Sequence, residues 1–113
     1  MHEDELLGSH RQELRRGTVV LACLLALRER GYGYGLLKTL ETAGIPSDGN
    51  TVYPLLRRLE ERGLLESEWN TEESRPRKFY KTTPAGSELA TQLLVDMKDL
   101  TASLHALNGG EDR

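Results

Sequence analysis

Nine apolar residues stand in an unbroken row from Val19 to Leu27. A helix through this stretch has no polar face, so it reads as a buried central helix over Val19–Arg30. Thr18 is a suitable N-cap and Gly31 a suitable stop. Residues 1–15 are polar and read as an N-terminal arm, or as a short helix around Ser9–Arg16. Tyr32-Gly33-Tyr34-Gly35 reads as a turn, and Leu36–Thr42 as a short second helix. Gly44-Ile45-Pro46 ends that helix, because the residue before a proline avoids α geometry. A third helix then runs to about Arg62, with Gly63 beyond it. Its register is plain, since Val52, Leu55, Leu56 and Leu59 fall at i, i+3, i+4 and i+7. Pro54 leaves its start open. With Thr51 as N-cap, the proline sits in the tolerated first turn. With Asp48 as N-cap, the helix carries it inside, with a local bend.

Leu64–Asn70 and Lys78–Thr83 have strand character, and the polar Thr71–Pro76 between them reads as a flexible hairpin tip. Thr83-Pro84 is an N-cap followed by proline at the first helical position, which opens a last helix over about Pro84–Leu107. The order helix, helix, helix, strand, strand, helix predicts a mainly α chain with a small β-hairpin. This is a winged helix-turn-helix over residues 16–83, a C-terminal helix over 84–108 and a disordered tail over 109–113.

The third helix is the element with chemistry on its surface. At about 100° per residue, its core residues share one side. Asn50, Pro54 and Arg57 fall opposite, flanked by Tyr53 and Arg58. Arginine pairs bidentately with guanine, asparagine with adenine, and tyrosine suits phosphate or a base edge. An exposed helix is charged by default, so this face alone decides nothing. The hairpin adds weight, with Arg75, Arg77, Lys78 and Lys81 and no acid between residues 75 and 81. Basic wing tips track a phosphate backbone or enter a minor groove, where arginine is favoured.

Charge sharpens this picture. The chain has 113 residues, with 15 Lys+Arg against 18 Asp+Glu, for a net −3. Three acids and no Lys or Arg lie in residues 1–10, so the remainder is neutral. The bases are therefore local patches, and a global positive field is not expected. The apolar run is far short of the roughly 20 residues that a membrane span needs. The acidic Met1–Gly8 does not read as a signal peptide. Cys23, the single cysteine, rules out an internal disulfide and reads as an inert core thiol. A reducing, cytoplasmic setting is expected, with no membrane partner.

An enzyme is not expected. His2, His10 and His105 are isolated, no cluster has metal-ligand spacing, and no cofactor is implied. Gly31, Gly33 and Gly35 imitate a glycine-rich loop, but no strand precedes them and no Gly-Lys-Ser/Thr follows.

Several stretches resemble the PadR-like transcriptional regulators, in the short form with one C-terminal helix. They are Arg16-Gly17-Thr18, Gly31-Tyr32-Gly33-Tyr34, and Thr51-Val52-Tyr53-Pro54-Leu55-Leu56-Arg57-Arg58-Leu59-Glu60. Gly63-Leu64-Leu65, Glu68-Trp69 and Arg75-Pro76-Arg77-Lys78-Phe79-Tyr80 complete the set. The resemblance covers about residues 15–107. It implies a homodimeric winged-helix repressor on an inverted-repeat DNA operator. The family's recognition positions fall on Asn50, Thr51, Tyr53 and Arg57, and its wing positions on Arg75, Arg77 and Lys78. Tyr34 and Lys38 sit where the second helix approaches phosphates. Gly35 departs from the family's usual acidic helix former, and Asn50 from a usual glycine. Family members often bind planar aromatic effectors near the dimer interface. Here the last helix has no Phe, Tyr or Trp to stack on, and Trp69 lies in a wing strand.

In the last helix, Ala90, Leu93, Met97, Leu100, Leu104 and Leu107 form an a/d stripe, the pattern of helix-to-helix packing. The winged helix already has a core of its own, so the stripe is expected to make a dimer. The competing reading is a winged helix that binds a protein rather than DNA, which the acidic Glu3–Glu5 segment favours.

Overall fold

Val19, Leu21, Cys23, Leu24 and Leu27 lie inside the molecule, as a stretch with no polar side must. The computed structural model describes residues 3–72 and 74–109. The elements are α1 (Glu3–Ala26), β1 (Gly31–Tyr32), α2 (Gly33–Thr42), α3 (Gly49–Glu61), β2 (Leu65–Asn70), β3 (Arg77–Thr82) and α4 (Pro84–Leu107). This is a mainly α winged helix-turn-helix with a C-terminal helix. Around the central part of α1 the core adds Leu36 and Leu40 of α2, the four apolar residues of α3, Leu65, Tyr80 and Ala90.

The first helix differs from the expectation. There is no separate arm or short helix before residue 16, because α1 runs unbroken from Glu3. Glu3, Asp4 and Glu5 occupy its first turn, where acids complement the helix dipole. Thr18 is not an N-cap. Its hydroxyl donates back to the Arg15 carbonyl at 2.6 Å, which continues the helix. Gly17 costs about 1 kcal/mol, less than a second costly nucleation next to a fully buried turn. The helix also stops at Ala26, before Arg30. Carbonyls at and just beyond its end are taken from outside: the Thr82 hydroxyl donates to Leu24 O at 2.7 Å, and the Thr82 amide to Leu27 O at 2.8 Å. Arg28 then ties α1 to α4, with Nε donating to Ser87 Oγ and one terminal nitrogen to Ser87 O and Thr91 Oγ1, each at 2.9 Å.

The segment read as a turn, Tyr32–Gly35, is instead a strand end and a helix start. Gly31 and Tyr32 pair with Tyr80 and Phe79, so the sheet has three antiparallel strands in the order β1-β3-β2. β2 and β3 pair from Leu65↔Thr82 to Asn70↔Arg77. Thr83 caps α4, accepting from the Gly86 amide at 3.1 Å, while its hydroxyl donates to Gly63 O at 2.7 Å. α4 ends at Leu107, as expected. The tail expected to be disordered falls, at residues 110–113, outside the described residues.

Cys23 is fully buried, and burial pushes its thiol from 9.0 up to about 12. The thiolate is disfavoured by desolvation. A pKa raised by folding means that this group opposes the folded state only as pH climbs from about 9 towards 12. We expect no reaction of the native protein with Ellman's reagent at pH 8 and full labelling after denaturation. Fast native labelling would place Cys23 at the surface.

Candidate nucleic-acid interface

α3 begins at Gly49, with Asp48 as N-cap. The carboxylate accepts from the Thr51 amide at 3.0 Å. Of the two starts the sequence allows, this one puts Pro54 inside the helix. Its missing N–H removes the donor that would take the Asn50 carbonyl. That carbonyl stands at the outward pole, beside the exposed side chains of Asn50 and Arg57. Thr51 and Arg58, both exposed, occupy the flank about 90° away.

Tyr53 holds the other flank. It is 40% exposed, yet its ring is pinned at both edges. A Cβ on Gly33 would fall 2.7 Å from its Cε1, and a Cβ on Gly49 2.7 Å from its Cε2. A side chain at either position would therefore push the Tyr53 ring out of this seat. The two helix starts thus clasp one tyrosine, which fixes α2 against α3. Tyr34 and Lys38 are exposed one helical turn apart on α2.

The wing has two differently furnished faces. On one, Arg30, Phe79, Tyr32 and Arg77 form a ladder. The Arg30 guanidinium lies 4.4 Å from the Phe79 centroid, the Phe79 and Tyr32 rings stack at 4.1 Å, and Arg77 lies 5.0 Å from the Tyr32 centroid. Asn70 Nδ2 donates to the Tyr32 hydroxyl at 2.9 Å. On the face turned to α3, the Lys78 ammonium lies 3.4 Å from a Glu60 carboxylate oxygen, near the Trp69 and Tyr80 rings. The Ser67 hydroxyl donates to the other Glu60 oxygen. Arg75 is exposed at the tip. Between wing and helices runs a groove of about 270 Å³ lined by Tyr34, Tyr53, Trp69, Pro76, Arg77 and Lys78.

Four further sets of residues gain a place only in the folded structure. Arg15 and Arg16 share a cleft of about 420 Å³ with Asp48 and Thr51, so α1 brings bases beside the start of α3. Tyr32 carries the wing root. Glu60 faces the wing rather than solvent alone. Leu6, Leu7 and Leu14 leave an exposed apolar row on α1. A continuous α1 is the signal that connects the first and last sets, and nothing local announces it.

The expected stripe on α4 divides. Ala90 is fully buried and so serves this chain's own interior rather than the expected dimer seam, while Leu93 is half-buried at the edge of the same core. They lie beside Ser87 and Thr91, where Arg28 draws α4 onto α1. Met97 is half-buried, while Leu100, Leu104 and Leu107 are 60%, 61% and 84% exposed. Among the described residues, no group of three or more His, Cys, Asp or Glu could hold a metal ion. No described helix is long and apolar enough to cross a membrane.

An outward helix face beside a β2–β3 wing that carries Arg75, Arg77 and Lys78 within a three-stranded sheet defines a winged-helix protein. The chain belongs to the Transcriptional regulator PadR-like family, which it matches over residues 20–92. It is 34% identical over 101 residues to the transcriptional regulator Rv3488 of Mycobacterium tuberculosis, covering 88% of this chain and 92% of that protein. A crystal structure of a PadR family transcriptional regulator from Eggerthella lenta is 45% identical, with a TM-score of 0.88 over 92% of this chain and 93% of the other. The Bacillus subtilis PadR, solved in complex with operator DNA, shares the fold at 20% identity, with a TM-score of 0.63 over 68% of this chain and 46% of that one. The family is one of regulators, not of enzymes.

Proposed function

We propose that this protein is a sequence-specific DNA-binding repressor that occupies an inverted-repeat operator as a homodimer. The carrying observation is the open outward face of α3. Asn50 and Arg57 are exposed among the described residues and stand beside a wing that exposes Arg75 at its tip. Asn50 and Arg57 read base edges. Tyr53, Thr51, Arg58, Tyr34, Lys38, Arg75 and Arg77 set the register on the phosphates. The B. subtilis relative solved with operator DNA supports the use of this fold on a duplex.

Dimerisation rests on the exposed leucines of α4 and of the first turns of α1. The described residues extend 56 × 35 × 22 Å. Exposed apolar strips of this kind are covered in soluble proteins by a partner. Two α3 helices on one face of a duplex place half-site centres about 34–36 Å apart, or a multiple of that. A small-molecule effector that bound between the protomers would act by changing the angle between the two wings.

The test is binding to promoter fragments, followed by fluorescence anisotropy across salt. With about six phosphate contacts, affinity falls by about a thousandfold between 50 and 200 mM salt. A protein-binding winged helix gives no duplex binding at low salt, and that result overturns the proposal. Within the site, Arg57→Ala is expected to cost about 1–3 kcal/mol and to relax preference at one operator position. Arg77→Ala is expected to weaken all sequences evenly and to lower the salt slope. Unchanged operator binding by an Asn50, Tyr53, Arg57 triple alanine would remove this face from the reading.

A further inference from the structure

Lys78 looks like a phosphate contact in the sequence, but its surroundings give it another task. β2 and β3 pair Trp69 with Lys78 and Ser67 with Tyr80, so all four project from the sheet face turned to α3. Glu60, on α3, meets them there. One of its oxygens takes the Ser67 hydroxyl and the other faces the Lys78 ammonium. The ammonium also lies 5.5 Å from the Tyr80 centroid and 6.0 Å from that of Trp69. Both charged side chains are about one-third exposed, which is too wet for the pair to contribute much to folding. Its effect is on placement.

We propose that Glu60 is a positioning and specificity-determining residue. It holds the wing at a set angle to α3 and keeps Lys78 off the DNA. The inference rests on the DNA-binding reading above. Glu60 stands at the junction of the two DNA-facing elements, where a bare carboxylate would repel the phosphate backbone. Were Lys78 to leave for a phosphate, that carboxylate would be uncompensated. Keeping the pair spares the approaching duplex that repulsion. A lysine on phosphate strengthens binding to every sequence alike. Neutralising it locally leaves a larger share of the affinity with Asn50 and Arg57, which raises discrimination.

The experiment measures anisotropy on an operator and on an unrelated duplex across salt, for wild type, Lys78→Met, Glu60→Gln, the double variant and Arg77→Ala. Lys78→Met is expected to keep the wild-type salt slope, whereas Arg77→Ala flattens it. Glu60→Gln frees Lys78. It is expected to steepen the slope by about two across a dimer, to strengthen binding to the unrelated duplex several-fold, and to narrow the ratio between the two DNAs. The double variant is expected to return the slope to that of wild type. Trp69, the only tryptophan in the chain, reports the junction independently, and its emission is expected to shift in Glu60→Gln. A Lys78→Met slope as flat as that of Arg77→Ala overturns the proposal. So does a Glu60→Gln slope equal to that of wild type in a variant with the wild-type melting curve. If wild type binds neither duplex at low salt, the DNA-binding reading itself fails, which is a separate outcome.

Discussion

Glutamate at Leu100 and Leu104 together is expected to halve the mass seen in sedimentation velocity and to weaken operator binding by a hundredfold or more. Each buried leucine contributes about 1.5–3 kcal/mol. Two per protomer therefore supply an amount comparable to the whole free energy of a micromolar dimer, about 8 kcal/mol. Once the protomers separate, the second half-site is no longer held at a high local concentration, and the avidity that linkage provides, about 10²–10⁴, is lost. The variant tests the interface rather than the fold, because both leucines are exposed in the protomer while Ala90 and Leu93 keep α4 on its own core. Its circular dichroism should match that of wild type. A mass equal to that of wild type would rule out the α4 seam.

Gly86→Ala is expected to be the most damaging single methyl in the protein. Gly86 lies in the first turn of α4, pressed against the start of β2. A Cβ there would sit 2.1 Å from Leu64 O and 2.8 Å from Thr82 Cγ2. Leu64 O is backbone and already accepts from the Thr83 amide at 3.1 Å, so it cannot step aside without opening that joint. Overpacking of this kind costs about 3 kcal/mol or more, which lowers the melting temperature by at least about 10 °C in a domain of this size. Gly35→Ala is the control. Nothing lies within 4 Å of its Cβ position, and α2 gains up to about 1 kcal/mol of helix propensity. A melting temperature unchanged by Gly86→Ala would contradict the close approach of α4 and β2.

In the sequence Gly35 reads as part of a turn and Gly86 as part of a helix, and nothing local says which of them has room for a methyl; the same division runs through the candidate site. Asn50 and Arg57 were legible as an outward face because Val52, Leu55, Leu56 and Leu59 define the opposite side without help from any other element. Lys78 was legible only as a base. Its partner, Glu60, is 18 positions away and reaches it by the crossing of α3 under the wing. Thr18 could cap a helix or bond back to one, and the choice fell to the burial of the turns that follow.

Local chemistry alone determined the order of the four helices and the β2–β3 hairpin, the register of α3, the bounds of α4 with its Thr83-Pro84 start, and the family motifs that run through them. Those features depend on neighbours within one or two helical turns, and the chain carries them wherever it goes. Only the folded structure decided that α1 is continuous and that Tyr32 is a strand residue. It also decided that Tyr53 is clasped by two glycines, and that Ala90 and Leu93 face inward while Leu100 and Leu104 do not. An a/d stripe has the same period whether it meets its own core or another chain. What separates the two cases is where Arg28 anchors α4, a contact across some 60 residues that no local pattern encodes.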